Sequence, residues 1–248
     1  MSLGVHLLGK PWLERDGEVV TPPRGYKAWA LLAYLILSRA REPSREHLAE
    51  LLFAEADDPL GSVRWNLAEL RRRLGADALP PGGTRLSLAP DAFVDVQALL
   101  TASPHEAVEL PGLGRELLEG LDFGRHPGFD TWLLNERRHL LGAAEGALHD
   151  AALDLLAAGE PARAVPLALR LVELNELDEN FQELLIRSYA EAGDAQAAEN
   201  QLARFTALFR SAVGRDPARS VLGAARTTVM PLHPMTRAAA PQAARAQL

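Results

Sequence analysis

The sequence predicts a mainly α-helical chain in two parts: an N-terminal unit in which small β-strands flank three helices, and an all-α remainder built on a helical repeat. Three observations carry that prediction. Apolar residues make up 48% of the 248 residues and aromatics only 6%, so the cores must be built from Leu, Ala and Val, which suits packed helices better than sandwiched sheets. Short β-prone stretches are confined to residues 1–97, and an internal helical period appears beyond them. The length fits two domains of roughly 100–150 residues, each with its own core.

Val5-His6-Leu7-Leu8 and Pro11-Trp12-Leu13-Glu14 are β-prone, and Asp16-Gly17 ahead of Val19-Val20 is a strong hairpin signal. After Pro22-Pro23 the apolar period becomes 3.6, with Ala28, Leu31, Leu32, Leu35 and Ile36 on one face of a helix running to about Arg39. Ser44 is placed to cap a short second helix that buries Leu48, Leu51 and Leu52. Asp58-Pro59 opens a third helix, an acidic cap followed by Pro at the first helical position, and Gly75 stops it after Leu74. The stretches 84–88 and 93–96 around Ala89-Pro90-Asp91 read as a β-hairpin. Strands, three helices and a hairpin, in that order, predict a winged helix-turn-helix over residues 1–97.

From residue 98 to 222 the pattern is helical throughout. Ala-Ala-Gly-Glu at 157–160 is matched by Glu-Ala-Gly-Asp at 191–194, Gly159 by Gly193 and Ala164 by Ala198, each 34 residues apart. That is the tetratricopeptide period. Gly ends the first helix of each pair and Ala lets the second approach. Two units are apparent where an array usually needs about three, and residues 115–145, with Phe129, Trp132, Leu133 and Leu140, are expected to supply the remaining packing. The Ala- and Pro-rich stretch 223–248, with scattered Arg and no acid after Asp216, is expected to be a flexible tail.

The formal charge is −7, which argues against a molecule that coats nucleic acid non-specifically. Residues 1–100 are close to neutral and the remainder carries most of the negative charge, so any DNA contact must be local. The absence of cysteine removes disulfides, thiolate nucleophiles and Cys-ligated zinc. Without a basic n-region and apolar h-region at the N-terminus, and with a longest apolar run of only 28–37, a cytoplasmic protein with no membrane contact is expected. The seven histidines fall in no metalloprotease spacing, and neither phosphate-cradling glycine loops nor a nucleophile elbow occurs. The chain is therefore not expected to be an enzyme or to hold a cofactor or metal.

On the third helix Val63, Leu67, Leu70 and Leu74 share one face. Rotation then points Trp65, Ala68, Glu69 and Arg72 away from it, with Arg64 and Arg71 on one flank and Arg73 on the other. Arg64, Arg71 and Arg72 could pair with guanine or clamp phosphate, and Asn66 could read adenine if the helix rolls toward it. Lys27, Arg24 and Arg45, near helix N-termini, could meet phosphates, and Arg85 on the hairpin a minor groove. The alternatives are plain: three arginines at a helix C-terminus complement its dipole, Lys27, Arg45 and Arg85 could be merely solvated, and Trp65 could tuck against the turn before the helix.

The run Gly61-Ser62-Val63-Arg64-Trp65-Asn66-Leu67-Ala68-Glu69-Leu70-Arg71-Arg72-Arg73-Leu74-Gly75, with Val94-Asp95-Val96 closing the wing and Leu117-Leu118-Glu119-Gly120 followed by Trp132-Leu133 and Glu136-Arg137, resembles the antibiotic-regulatory-protein (SARP) type of bacterial activator. In that family an OmpR-like winged helix is joined to a bacterial transcriptional activator domain of tetratricopeptide character. The resemblance covers about residues 3–222. It implies binding of double-stranded DNA at promoter direct repeats, as a homodimer or paired monomers at least on DNA, and recruitment of RNA polymerase. It also implies that Arg64, Arg71 and Arg72 contact DNA and that the loop 53–60 faces polymerase. Two features depart from the pattern: Glu69 at an outward position, which would repel phosphate or select cytosine, and the lack of a positive balance in the first domain. Together with Trp65, an exposed aromatic beside mixed charges, and the acidic balance of the chain, they favour a rival reading, a helical-repeat adaptor whose winged helix binds protein rather than DNA. With neither a receiver domain nor an ATPase in the sequence, regulation is expected through the repeat domain or expression level.

Overall fold

The first strand, β1 (Leu3–His6), pairs antiparallel with β2 (Trp12–Arg15), Leu3 opposite Arg15 and His6 opposite Trp12. Asp16 and Gly17 then turn the chain at φ 52° and 83° into β3 (Glu18–Val19), the left-handed pair that a tight hairpin needs and that Asp-Gly provides. The computed structural model describes residues 2–38 and 42–226. Three helices follow: α1 (Tyr26–Leu37), α2 (Arg45–Phe53) and α3 (Pro59–Leu74). Ser44 caps α2 by accepting the amide of His47 at 3.0 Å. Asp58 caps α3 through the amide of Gly61 at 2.7 Å, ahead of Pro59. Arg39, the expected end of the first helix, lies outside the described residues.

The expected wing is corrected. Residues 84–88 form no strand, and β4 (Phe93–Val94) pairs parallel with β1, Val5 opposite Val94, giving a sheet of order β3-β2-β1-β4. The physical reason is Asp95. It is completely buried, its Oδ2 accepts the amides of Leu7 and Leu8 at 2.8 Å each, and its Oδ1 accepts that of Val96 at 2.7 Å. A carboxylate that satisfies three buried N–H groups fixes β4 beside β1. The segment between α3 and β4 is tied elsewhere, by Ser87 N–H to the Ala78 carbonyl at 2.8 Å and Thr84 Oγ1 to the Pro43 carbonyl at 2.7 Å.

Beyond β4 come α4 (Asp95–Thr101), α5 (Pro104–Ala107), the long α6 (Pro127–Ala157), α7 (Pro161–Leu174), α8 (Glu179–Glu191), α9 (Ala195–Val213) and α10 (Arg219–Ala224). The repeat pattern is realised atom for atom. Gly159 and Gly193 take φ 76° and 84°. The next amide in each case, Glu160 or Asp194, closes the turn on the carbonyl of Leu155 or Tyr189, the C-terminal motif that favours glycine. Ala164 and Ala198 are both fully buried where the second helix of each pair meets the first. Of the expected tail, residues 223–226 finish α10 and its turn, and 227–248 lie outside the described residues.

Two cores were expected, one per domain, but the core does not divide near residue 97. One cluster runs from Leu3 through Leu74, Val94, Phe129 and Ala164 to Leu185, and a smaller one joins Ile186, Ala198, Phe205, Phe209, Val221 and Ala224. Backbone pairing crosses the expected boundary: Gly9 N–H meets the Glu116 carbonyl at 2.8 Å and Leu118 N–H that of Leu7 at 2.9 Å. Rings cross it too, Tyr26 against Phe123 at 5.4 Å and Tyr34 against Trp132 at 5.0 Å. The start of α6 thus packs on α1 and α2. No described helix is long and apolar enough to cross a membrane.

Candidate nucleic-acid interface

The α3 helix buries Val63, Leu67, Leu70 and Leu74, as its period dictates. Its other side presents Arg64, Trp65 and Arg72 as exposed residues, with the small, half-buried Ala68 between them. Positions 64, 65, 68 and 72 fall on one stripe at helical spacing. Trp65 is 48% exposed, so it does not tuck under the preceding turn. Arg64 reaches back to Asp58, Nη2 to Oδ2 at 3.3 Å, in an exposed pair that contributes little to stability.

Glu69 is not the outward group that rotation predicts. It is 1% exposed. Its Oε1 accepts the backbone amide of Arg24 at 3.2 Å and the Nε and Nη2 of Arg73 at 3.2 and 3.0 Å, and its Oε2 accepts Nη2 of Arg72. Burial pushes the Glu69 carboxyl up, but the Arg24 amide and the guanidinium groups of Arg73 and Arg72 outweigh it and hold the group below its ordinary range. The segment before α1, folded against the C-terminal half of α3, supplies both the cover and a donor that periodicity on α3 alone could not reveal. Repulsion of phosphate by an exposed Glu69 is thereby corrected.

Two further expectations change. Asn66 is buried, and its amide donates to the Ser62 carbonyl of its own helix at 2.9 Å, so it is not offered to a groove. Arg71 donates to the Leu79 carbonyl at 2.6 Å and the Pro80 carbonyl at 3.0 Å, latching the chain that leaves α3. Successive residues differ by about 100° around a helix, so Arg71, Arg72 and Arg73 cannot all address one groove. Arg71 holds the exit loop, Arg73 holds Glu69, and Arg72 remains largely exposed.

Lys27 is half-buried with Nζ 5.1 Å from the centre of the Phe53 ring, a cation-π placement between α1 and α2. Burial lowers its pKa, and Glu55 partly restores it. Arg45 is half-buried at the start of α2, where Glu42, Thr84 and Gly82 border the same concavity, and Arg85 is exposed beside Leu35 and Ser38 of the α1 end. The structure therefore gathers Arg64, Trp65 and Arg72 on one stripe and leaves Lys27, Arg45 and Arg85 off it.

Sequence reasoning missed Arg15, whose Nη2 donates to the Arg73 carbonyl at 2.8 Å and covers the end of α3. With Arg72, Arg73 and Gly75 it lines a shallow concavity of about 520 Å³. The loop 54–58 between α2 and α3 exposes Glu55, Asp57 and Asp58. Among the described residues no group of His, Asp or Glu is arranged to hold a metal ion.

The sequence matches the family model of the bacterial transcriptional activator domain over residues 93–226. Among solved structures, Mycobacterium tuberculosis EmbR in complex with a low affinity phosphopeptide matches with a TM-score of 0.61 at 20% identity, over 90% of this chain. This chain spans 64% of the length of that one. None of the curated proteins matches.

Proposed function

The chain belongs to the bacterial transcriptional activator domain family, as the SARP-type resemblance implied, and from that premise we propose that it is a sequence-specific DNA-binding regulator that activates transcription. In this reading α3 enters the major groove of double-stranded DNA at promoter direct repeats. Arg64 and Arg72 are its base or phosphate contacts, Trp65 packs on the groove wall, and Lys27, Arg45 and Arg85 lie toward the flanking backbone. RNA polymerase would meet the acidic loop before α3, and a second copy would occupy the neighbouring repeat. The observation that carries the reading is the exposed stripe of Arg64, Trp65, Ala68 and Arg72 on a helix whose opposite face is core. The stripe is small-residue-waisted and cationic at both ends, a shape that admits a groove.

A second reading, a protein-binding adaptor, draws on the half-exposed Trp65 and on the one Glu69 carboxylate that offsets part of the charge of two α3 arginines. Exposed aromatic residues are enriched at the centres of protein interfaces. Selection of duplex fragments by the purified chain at two salt concentrations separates the two. A regulator enriches a direct-repeat site with an affinity that falls as salt rises; enrichment of nothing at low salt overturns the DNA reading.

A further inference from the structure

The C-terminal half of α3 has an arrangement that charge alone does not explain. A helix that met DNA only through electrostatics would gain from three unopposed arginines, yet this one buries a carboxylate among them. Glu69 has about four lone-pair sites and receives four N–H donors, from the Arg24 backbone, from Arg73 twice, and from Arg72. Three of these fall on Oε1 and one on Oε2, and with 1% of the side chain exposed they hold the carboxylate in place. Arg72, in contrast, is 62% exposed and uses a single Nη2 on Glu69. A guanidinium is planar, so tethering one nitrogen to a buried acceptor narrows the range of orientations its other donors can take, though a single contact leaves rotation about it.

We propose that Glu69 is a positioning residue for sequence selection, tethering the Arg72 guanidinium at Nη2 so that its remaining donors are held toward a guanine edge, and offsetting charge that would otherwise hold any sequence. The inference rests on the DNA-binding reading. Two consequences follow from the geometry. Arg72 held by Glu69 is a weak phosphate ligand, because the nearby carboxylate offsets its field, and a good base reader, because part of its rotamer freedom is already lost. Arg72 released is the reverse: a mobile cation that finds phosphate on any duplex.

The test uses the full chain. Fragments are selected from a randomised double-stranded DNA library by the wild type, and affinity is then measured for the enriched fragment and for a scrambled duplex of the same length. Glu69→Gln keeps size and a carbonyl acceptor but loses the charge, and Arg72→Lys keeps the charge but loses the planar fork. The ratio of the two affinities is expected to fall about ten-fold in each variant, the span of one good bidentate base contact. In Glu69→Gln the scrambled duplex is also expected to bind more tightly than it does to the wild type. That gain is the readout a merely structural role would not give, because a damaged fold weakens both duplexes together. In the double variant the ratio is expected to fall no further than in Arg72→Lys alone, since the residues act as one unit.

Equal weakening of both duplexes by Glu69→Gln, an unchanged ratio, or the same further loss in the Arg72→Lys background would overturn the assignment while leaving the DNA-binding reading intact. If Glu69→Gln does not fold, Arg72→Lys decides alone, an unchanged ratio overturning the proposal. Failure of the wild type to enrich any fragment would sink the DNA reading and this inference with it.

Discussion

The helical repeat and the N-terminal unit are held together by opposite devices. In the repeat, helices approach because side chains are small at Ala164 and Ala198 in the contacts and absent at Gly159 and Gly193 in the turns. In the N-terminal unit, segments far apart in sequence are fastened by two buried carboxylates, Asp95 joining α4 to the end of β1 and Glu69 joining α3 to the segment before α1. The difference teaches where each region breaks. A repeat contact fails by overfilling, whereas a buried carboxylate fails by leaving donors without acceptors in a place water does not reach.

Asp95→Ala is the largest expected effect. It strands the amides of Leu7, Leu8 and Val96 and frees β4 from β1. Unsatisfied buried donors cost about 1–3 kcal/mol each, and with partial relaxation a total loss of about 3–4 kcal/mol is expected, read as a lower urea midpoint with unchanged slope. A loss no greater than that of an ordinary surface substitution would remove Asp95 as the fastener. Ala198→Leu and Ala164→Leu come next, each overfilling a contact that has no side-chain volume to give, by about 1–3 kcal/mol. Ala164 belongs to the large core and Ala198 to the small one, so the first is expected to cost at least as much as the second. Intact stability in both would undo the account of the repeat.

The same contrast explains what could be read from the sequence. The repeat was legible because its devices are local in register: a glycine in a left-handed turn and an alanine a few residues later recur at one offset, and the residue type states the requirement. The caps at Ser44 and Asp58 and the turn at Asp16-Gly17 were legible for that reason too. The wing was not, because Phe93 and Val94 carry the β-propensity expected of a hairpin while Asp95 commits them to β1. Val94-Asp95-Val96 held the signal, a carboxylate between two buried valines whose one local donor, the Val96 amide, satisfies only Oδ1 and leaves Oδ2 to distant partners. On α3, periodicity placed the apolar face and the exposed Arg64, Trp65 and Arg72 correctly. It failed for Glu69, Asn66 and Arg71, whose roles depend on Arg24, on the Ser62 carbonyl and on the loop at Leu79. A face assignment assumes that only the apolar side is covered, and a segment folding over the other side voids it.

The smallest expected effect separates the two carboxylates from one another. Glu69 sits below its ordinary value despite burial, because of the Arg24 amide and the Arg73 and Arg72 guanidinium groups. Its contribution is therefore present above the unfolded value of about 4.3 and is lost as pH falls through the lower folded value. Asp95 runs the other way: burial raises it, with the three amides and His6 only partly opposing. Its titration adds stability as pH falls from the raised folded value toward the unfolded one near about 3.9. Glu69→Gln should accordingly melt about 2–4 °C below the wild type at neutral pH, the shift given by about 1 kcal/mol in a chain of this size. The gap should narrow once pH drops below about 4. Asp95→Asn lacks that titration, so its deficit against the wild type should widen over the acid side instead of closing. If the two gaps moved together with pH, the carboxylates would be interchangeable anchors, and Glu69 would need no explanation beyond holding α3 in place. Opposite movement would mean that Glu69 is kept charged by cations on the exposed side of α3, the condition under which it can hold Arg72.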